Sequence, residues 1–283
     1  MKILLTGANG FLGKSVSKKL NKFYKIKKTD LNNLDITKKN KINSYLKKYK
    51  FDLVVHCAAA KGSVDSIKNP ETYVNTNFLG TYNILEAMRL NGCKKIIFIS
   101  SSGLYKNGNN IKNENDDIFC KNPYALGKFL SEETIKHYCN IYNFNAICIR
   151  PNLISGYGLF KDNLIYDVVK SIKKNNIAEV YGNGKHIREF THPDDISDFI
   201  LKIIKVKFKG FQIFNLTSNR TQIIKLINKI IRIMETGNLK FLKTKKQAFS
   251  LVLNDKKIKK TGWKPKKNLD FIIKEIISGV NNE

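Results

Sequence analysis

Short apolar runs alternate with stretches of helical spacing along the first half of the chain. Lys2–Thr6 predicts a strand, followed by Gly7-Ala-Asn-Gly10-Phe-Leu-Gly13 and a helical stretch through Val16 and Leu20. A second strand is predicted over about residues 24–29 and a polar helix over about 38–48. The almost unbroken apolar run Leu53-Val-Val-His-Cys-Ala-Ala59 predicts a strand covered on both faces, as in a parallel sheet. Pro70 opens a helix to about Leu90, and residues 95–100 form another central strand. Asn122 ahead of Pro123 sets an N-cap residue before proline at the first helical position, so a helix is predicted to about Ile141, ahead of a strand over 146–149. This alternation predicts an α/β fold with a doubly wound parallel sheet over residues 1–150. After Arg150-Pro151 the pattern loosens into loops bearing Gly156, Gly158, Gly182 and Gly184, with helices near 164–174, 194–204 and 221–234. A smaller C-terminal substrate-binding lobe is predicted over 151–283, some of its segments returning to the sheet.

Composition changes this picture little. With 283 residues, 42% hydrophobic and 26% charged, the chain has an ordinary globular balance. The net charge of +28 would suit a nucleic-acid partner, but it comes from 46 Lys against 5 Arg. Lysine rises with Ile and Asn, residues of AT-rich codons, and lies scattered, as at Lys38, Lys39, Lys173, Lys174, Lys256 and Lys257. No arginine-rich run with interleaved aromatics appears, so no nucleic-acid partner is expected; the charge favours an acidic substrate. The five cysteines lack metal-ligand spacing and read as reduced thiols. His56 sits in an apolar strand as a core residue, and His137, His186 and His192 are scattered, so no metal is expected. No apolar stretch is long enough to span a membrane, and a cytoplasmic protein is expected.

A strand ending in Gly7, with Gly10 and Gly13 at three-residue spacing, lets backbone approach a pyrophosphate while the next helix points its amide end at the negative charge. Asp30, after the second strand, could accept hydrogen bonds from an adenosine ribose and favour NAD; Lys28 could instead hold the 2′-phosphate of NADP. The choice stays open. Ser100-Ser-Ser-Gly-Leu-Tyr105 closes a strand, and Tyr124-Ala-Leu-Gly-Lys128 lies on the following helix. Spacing of four puts Tyr124 and Lys128 on one helix face, where the ammonium would lower the phenol pKa toward neutrality.

Thr6-Gly-x-x-Gly-x-x-Gly13, His56-Cys-Ala-Ala-Ala60, Asn77 before Gly80-Thr81, Ser100 to Tyr105 and Tyr124 to Lys128 together resemble the extended short-chain dehydrogenase/reductases, the nucleotide-sugar epimerase/dehydratase group. The likeness continues through Gly182-Asn-Gly-Lys-His-Ile-Arg188-Glu-Phe190, Asp194-Asp195 and Gly262-Trp263-x-Pro265. It implies a Rossmann-type sheet, a homodimer, and an enzyme of the kind that serves polysaccharide synthesis on a nucleotide sugar. It also implies that Gly7, Asn9, Gly10, Phe11, Leu12, Gly13, Asp30, Asp35, Ile36, Ala58, Ala59 and Lys128 bind NAD or NADP. Tyr124 would be the general acid/base, Lys128 would hold the nicotinamide ribose and tune the phenol, and Ser101, four residues before Tyr105, would polarise the reacting oxygen. Ser102 is the alternative serine and a substrate contact. Arg188 would meet the nucleotide diphosphate. Asn152 stands one place early for the family's substrate asparagine, a position this chain fills with Leu153.

Members of the group that eliminate water place Asp-Glu directly after the strand-end serine or threonine, where this chain has Ser102-Gly103. A 4,6-dehydratase is therefore not expected. The short stretch from Lys28 to Asp35-Ile36, with Ala58-Ala-Ala-Lys61, resembles keto-sugar reductases related to GDP-fucose synthase. Reduction of a 4-keto nucleotide sugar is the expectation, and a 4-epimerase with retained NAD is the alternative. Gly103 replaces the cysteine that such reductases use to epimerise the ring, which points to simple reduction. A non-catalytic dinucleotide-binding protein is disfavoured by the presence of both Tyr124 and Lys128.

Overall fold

The computed structural model describes residues 1–106, 108–160, 163–243 and 249–282. In chain order the elements are β1 (Lys2–Thr6), α1 (Phe11–Leu20), β2 (Lys25–Thr29), α2 (Lys39–Tyr49), β3 (Leu53–His56), α3 (Ser63–Lys68), α4 (Pro70–Tyr73), α5 (Gly80–Leu90), β4 (Lys95–Ile99), β5 (Ile111–Lys112), α6 (Pro123–Tyr142) and β6 (Asn145–Pro151). The chain continues with β7 (Leu153–Ile154), α7 (Leu164–Asn175), β8 (Ile177–Tyr181), β9 (Ile187–Thr191), α8 (Pro193–Lys205), β10 (Phe211–Leu216), β11 (Arg220–Gln222), α9 (Ile223–Met234), β12 (Asn238–Leu242), β13 (Val252–Leu253), α10 (Lys256–Lys260) and α11 (Leu269–Asn281).

Two units divide these elements. The first comprises residues 1–106, 114–151 and 196–215, and the second residues 107–113, 152–195 and 216–283. The second unit is thus discontinuous: it takes the short excursion around β5, and the chain returns to the first unit through most of α8 and β10.

In the first unit six strands hydrogen-bond in the order β10-β6-β4-β3-β1-β2. The pairs β1–β2, β1–β3, β3–β4 and β4–β6 are parallel. Every residue of β3 is buried, as its unbroken apolar pattern requires. Leu4, Val54, Ile96, Phe98 and Ala146 pack with Ile42 and Leu46 of α2, Ile84 and Met88 of α5, and Ile135 of α6. The chain leaves β1 to one side and returns at β3 on the other. The carboxyl ends of β1 and β3 therefore flank the reversal point at which open α/β sheets take ligands.

The helix predicted from Pro70 to Leu90 is interrupted. Between α4 and α5 the chain takes one π-helical stretch, Val74–Leu79. The carbonyl of Asn77 there accepts the hydroxyls of Thr81 and Ser131, each at 2.7 Å, while its side chain clamps Ala60, accepting from the amide at 2.7 Å and donating to the carbonyl at 3.0 Å. A widened turn frees these groups for partners outside the helix. Gly127 lets α6 approach, since a Cβ there would lie 3.0 Å from that of Asn77.

A buried polar network runs behind α6. Arg150 at the end of β6 meets Glu132 through two nitrogens, at 3.0 and 2.5 Å, with side chains 3% and 1% exposed. Arg150 also donates to the Tyr105 hydroxyl at 2.8 Å and the Glu114 carbonyl at 3.1 Å, and Tyr105 donates to Asn215 at 2.7 Å.

The second unit has its own core, in which Ile165, Val169 and Ile172 of α7 pack with Leu226, Ile227 and Ile230 of α9 and with Ile272 and Ile276 of α11. The unit also carries three small sheets, ordered β11-β9-β7, β12-β8 and β13-β5, of which β8 and β9 contribute Ala178, Val180 and Phe190 to this core.

Losing one partner of a buried ion pair leaves the other charge uncompensated, at a cost of about 3–5 kcal/mol. Glu132→Ala is expected to lower unfolding stability by about that amount in urea denaturation; a loss under about 1 kcal/mol, the range of exposed pairs, would show the pair to be solvated.

Candidate active site

The turn after β1 is built for close approach. Gly7 has φ +66°, and a Cβ there would lie 2.6 Å from the Ala58 amide nitrogen. A Cβ on Gly13 would lie 2.0 Å from the Gly7 carbonyl oxygen, so neither position admits a side chain. The amide of Gly10 closes the turn on that same carbonyl at 3.1 Å. Gly10 caps α1 without a side-chain hydrogen bond, and no acid stands in the first turn. The amide end of the helix is left to an external anion.

Of the remaining predicted dinucleotide residues, Asn9, Asp30 and Ala58 lie at or beside this turn. Asn9 donates its amide to the Asp30 carboxylate, which also accepts from the Asn32 amide at 2.9 Å. An acid held at the end of β2 beside the glycine turn fits a ribose. Lys28 is exposed on the same strand. Asp35 accepts from the Thr37 amide and hydroxyl at 2.8 Å. Burial pushes the Asp35 carboxyl up, but those bonds and the charges of Lys38 and Lys41 outweigh it and hold the pKa below the ordinary value. Ile36 and Leu12 are core side chains, 5% and 9% exposed, so any contact they make is chiefly through backbone. Phe11 and the Ala58-Ala59 pair are half-buried. The cradle and these donors fit a dinucleotide, for which the first-turn amides of α1 and Asp30 would be the holding groups.

Helix α6 starts where the sequence predicts, with Asn122 Oδ1 accepting from the Ala125 amide at 2.8 Å. Tyr124, Lys128 and Glu132 follow at intervals of four on one face. The Tyr124 hydroxyl hydrogen-bonds with Ser101. Ser101 Oγ in turn accepts from the Gly103 amide at 3.0 Å, which fixes the serine at the strand end. Ser101 is thus the serine that meets the phenol, while Ser102 is 5% exposed inside the turn. The Tyr124 ring stands edge-on to Tyr73, centroids 6.4 Å apart, and Tyr73 donates to the Lys61 carbonyl at 2.5 Å.

The electrostatics correct one expectation. Burial raises the Tyr124 phenol above its ordinary pKa, opposed by the Ser101 hydrogen bond, rather than Lys128 lowering it. The Lys128 ammonium is engaged elsewhere: it donates to the Ile99 carbonyl at 2.7 Å and sits 4.7 Å from the Phe98 ring centroid. Burial brings the Lys128 pKa down to about 8. Ser100, 2% exposed, carries a hydroxyl with no hydrogen-bond partner among the described residues. Sequence reasoning passed over Ser100, Tyr73 and Glu132; only the interval of four after Lys128 could have signalled Glu132. His56 is core, as expected: Nδ1 lies 2.6 Å from the Thr6 hydroxyl and Nε2 3.1 Å from that of Thr81, and burial drives its pKa down to about 3.

In the second unit Arg188 is half-buried, donating from Nη1 to the carbonyls of Ile187 and Phe249. Asn152 needs correction as a substrate contact. Its amide donates to Glu189 at 2.7 Å and to the Leu251 carbonyl at 3.3 Å, and its oxygen accepts from the Leu153 amide at 3.0 Å. Buried and bonded through both amide hydrogens and its oxygen, it fastens these segments together. The Asp195 and Trp263 motifs also fasten each other: the indole donates to the Asp195 carbonyl at 3.1 Å, and the Asp195 carboxylate accepts from the Lys266 and Lys267 amides at 2.7 and 3.2 Å. Among the described residues there is no cluster of three or more potential metal ligands, and no helix is long and apolar enough to cross a membrane.

A family model described as the NAD dependent epimerase/dehydratase family matches residues 3–217. A UDP-glucuronate 4-epimerase of Thermodesulfobacterium geofontis is 30% identical over 77% of this chain and 66% of its own length. A GDP-L-colitose synthase of Yersinia pseudotuberculosis is 28% identical over 100% of this chain and 99% of its own. In fold the chain is similar to the UDP-glucose 4-epimerase of Thermus thermophilus solved with NAD, with a TM-score of 0.88, 18% identity and 99% of each chain covered.

The folded-state pKa of Lys128, about 8, lies below the ordinary 10.5 because burial disfavours the ammonium. Below that value the fold holds a charge it disfavours, so this group opposes folding there, and the opposition fades as pH rises from about 8 through 10.5. The Lys128 ε-carbon resonance of the free protein is expected to titrate near pH 8; a midpoint at the ordinary lysine value would show the ammonium to be solvated.

Proposed function

The chain belongs to the NAD dependent epimerase/dehydratase family, and on that premise we propose that it reduces a 4-keto nucleotide sugar with NADH or NADPH. The observation that carries this reading is the Tyr124 hydroxyl, hydrogen-bonded to Ser101 and held protonated by burial. A ketone accepting hydride builds alkoxide charge, which needs one donor to orient the oxygen and another to give up a proton. Ser101 supplies the first and Tyr124 the second. When bound, the reduced nicotinamide supplies the hydride.

An epimerase starts in the opposite sense, with the tyrosine removing a proton from a sugar hydroxyl. The same phenol must later return that proton, so donation from Tyr124 is common to both reactions. Lys128, charged below about pH 8, lies on the face of α6 that carries Tyr124 and is the cation that would hold the nicotinamide ribose. The turn after Ser101 reads Ser102-Gly103 and carries no acid for elimination, which argues against a dehydratase. The likeness to a UDP-glucuronate 4-epimerase supports the second reading, epimerisation with retained NAD.

Tyr124→Phe is expected to lower turnover roughly 10²- to 10⁴-fold, the range of a general acid, and Ser101→Ala roughly 10²- to 10³-fold, the range of one oxyanion donor, with dinucleotide affinity retained in both. Turnover undiminished in Tyr124→Phe would remove the assignment. Nucleotide released by acid from the purified protein, followed by absorbance of reduced nicotinamide with a panel of 4-keto nucleotide sugars, separates the two reactions. Consumption of NADH or NADPH is expected; near-stoichiometric retained NAD without net oxidation would replace the reductase with the epimerase.

A further inference from the structure

Tyr73 closes α4 and is buried, yet nothing in the sequence sets it apart from its neighbours. Three contacts distinguish it. Its ring meets that of Tyr124 with centroids 6.4 Å apart and planes at 82°, the edge-to-face arrangement that aromatic quadrupoles favour. Its backbone carbonyl stands where α6 comes closest, since a Cβ on Gly127 would lie 3.2 Å from that oxygen. Its hydroxyl donates to the Lys61 carbonyl at 2.5 Å. Tyr73 therefore touches α6 at Tyr124 and at Gly127, and touches the loop after β3 from the other side.

That loop is held firmly. Four residues beyond Tyr73, Asn77 clamps Ala60 through both its amide and its carbonyl. Gly62 turns the chain back with φ +107°, and a Cβ there would lie 3.3 Å from the Tyr73 hydroxyl and from Asp65 Oδ2, so the turn is folded against the phenol of Tyr73. The same loop starts at Ala58, against which the Gly7 turn is packed. Contacts thus run from the glycine turn through the loop to Tyr73 and on to Tyr124. The Ser101 hydrogen bond fixes the oxygen of the half-buried Tyr124 but leaves its ring free to pivot about that bond. A neighbouring ring removes this freedom. The gain is large where a proton is transferred, because displacing a reacting group by about 1 Å costs roughly 10²-fold in rate.

We infer that Tyr73 is a positioning residue for the proton donor: its ring sets the direction of the Tyr124 phenol, and its hydroxyl ties that direction to the loop beside the glycine turn. The inference rests on the reading of Tyr124 as proton donor, which reduction and epimerisation share. Tyr73 itself gives up no proton. It acts through Tyr124, and its ring also covers part of that side chain from water.

Substitutions in the full chain test it. Tyr73→Leu, which removes the ring, is expected to lower kcat on a 4-keto nucleotide sugar roughly 10²-fold, with KM for sugar and dinucleotide within about three-fold of the parent, as for an interaction that matters only in the transition state. Tyr73→Phe keeps the ring and loses one hydrogen bond, and should hold kcat within about 10-fold of the parent. If the leucine variant does not fold, Tyr73→Met, which fills the space without a ring, takes its place. Labelling the chain with 3-fluorotyrosine adds a readout that needs no substrate. Burial raises the Tyr124 phenol, so its fluorine resonance, identified by its loss in Tyr124→Phe, is expected to titrate above free 3-fluorotyrosine in the parent and in Tyr73→Phe. In Tyr73→Leu the midpoint should move down toward the free amino acid as water reaches the ring, with Lys128 the same throughout the series. An unmoved midpoint in Tyr73→Leu overturns the assignment, as does undiminished kcat, or a rise in KM that accounts for the whole loss of kcat/KM. A midpoint that moves as expected, in a protein whose parent turns over no 4-keto nucleotide sugar, leaves Tyr73 in this role and sinks the reductase reading instead.

Discussion

Helix α6 presents a phenol, an ammonium and a carboxylate along one face, and that face is turned toward the ends of the central strands β4 and β6, which are buried along almost their whole length. Taking these groups out of water is the constraint around which the first unit is arranged, because a buried charge is tolerated only with a partner. Each finds one. Glu132 takes the two-pronged grip of Arg150, Lys128 reaches the last carbonyl of β4 and the Phe98 ring, and Tyr124 pairs with Ser101. The same desolvation that needs these partners keeps the phenol protonated. Packing and chemistry here are one arrangement, with the π-helical stretch and Gly127 supplying the close approach that brings α6 into place.

Much of this was legible in the chain. The apolar runs placed β1, β3, β4 and β6, the glycine spacing placed the turn, and Asn122-Pro123 placed the start of α6 within a residue. Such features are local: a strand covered on both faces announces itself in its own composition. What stayed hidden depends on residues distant in sequence. Nothing local to Val74–Leu79 declares a π-helical stretch, because its cause is Ser131 and Ala60 reaching the same asparagine. Some return of later segments to the sheet was expected, but that residues 196–215 are the ones is decided by contacts distant in sequence. The sense of the Tyr124 shift was missed because the spacing of four specifies a shared face but not where the ammonium points.

In the second unit, motifs that look chemical divide into two kinds. Asp195 and Trp263, about seventy residues apart in sequence, bind each other and the backbone around them, and Asn152 with Glu189 ties β7 and β9 to the segment ending in β13. Arg188 is the other kind, because among the described residues only its Nη1 makes hydrogen bonds. Saturation of donors and acceptors separates the two where sequence pattern does not.

The Glu132–Arg150 pair also limits how this chain can change over generations. Either residue replaced alone strands a charge in a region closed to water, and a domain holds only about 5–15 kcal/mol in reserve. Both replaced together by well-packed apolar side chains can be neutral or better. The accessible routes therefore pass through a valley two substitutions wide, and a lineage that drifts freely over its lysine-covered surface would be expected to keep this carboxylate and this guanidinium in step, lost or retained as one.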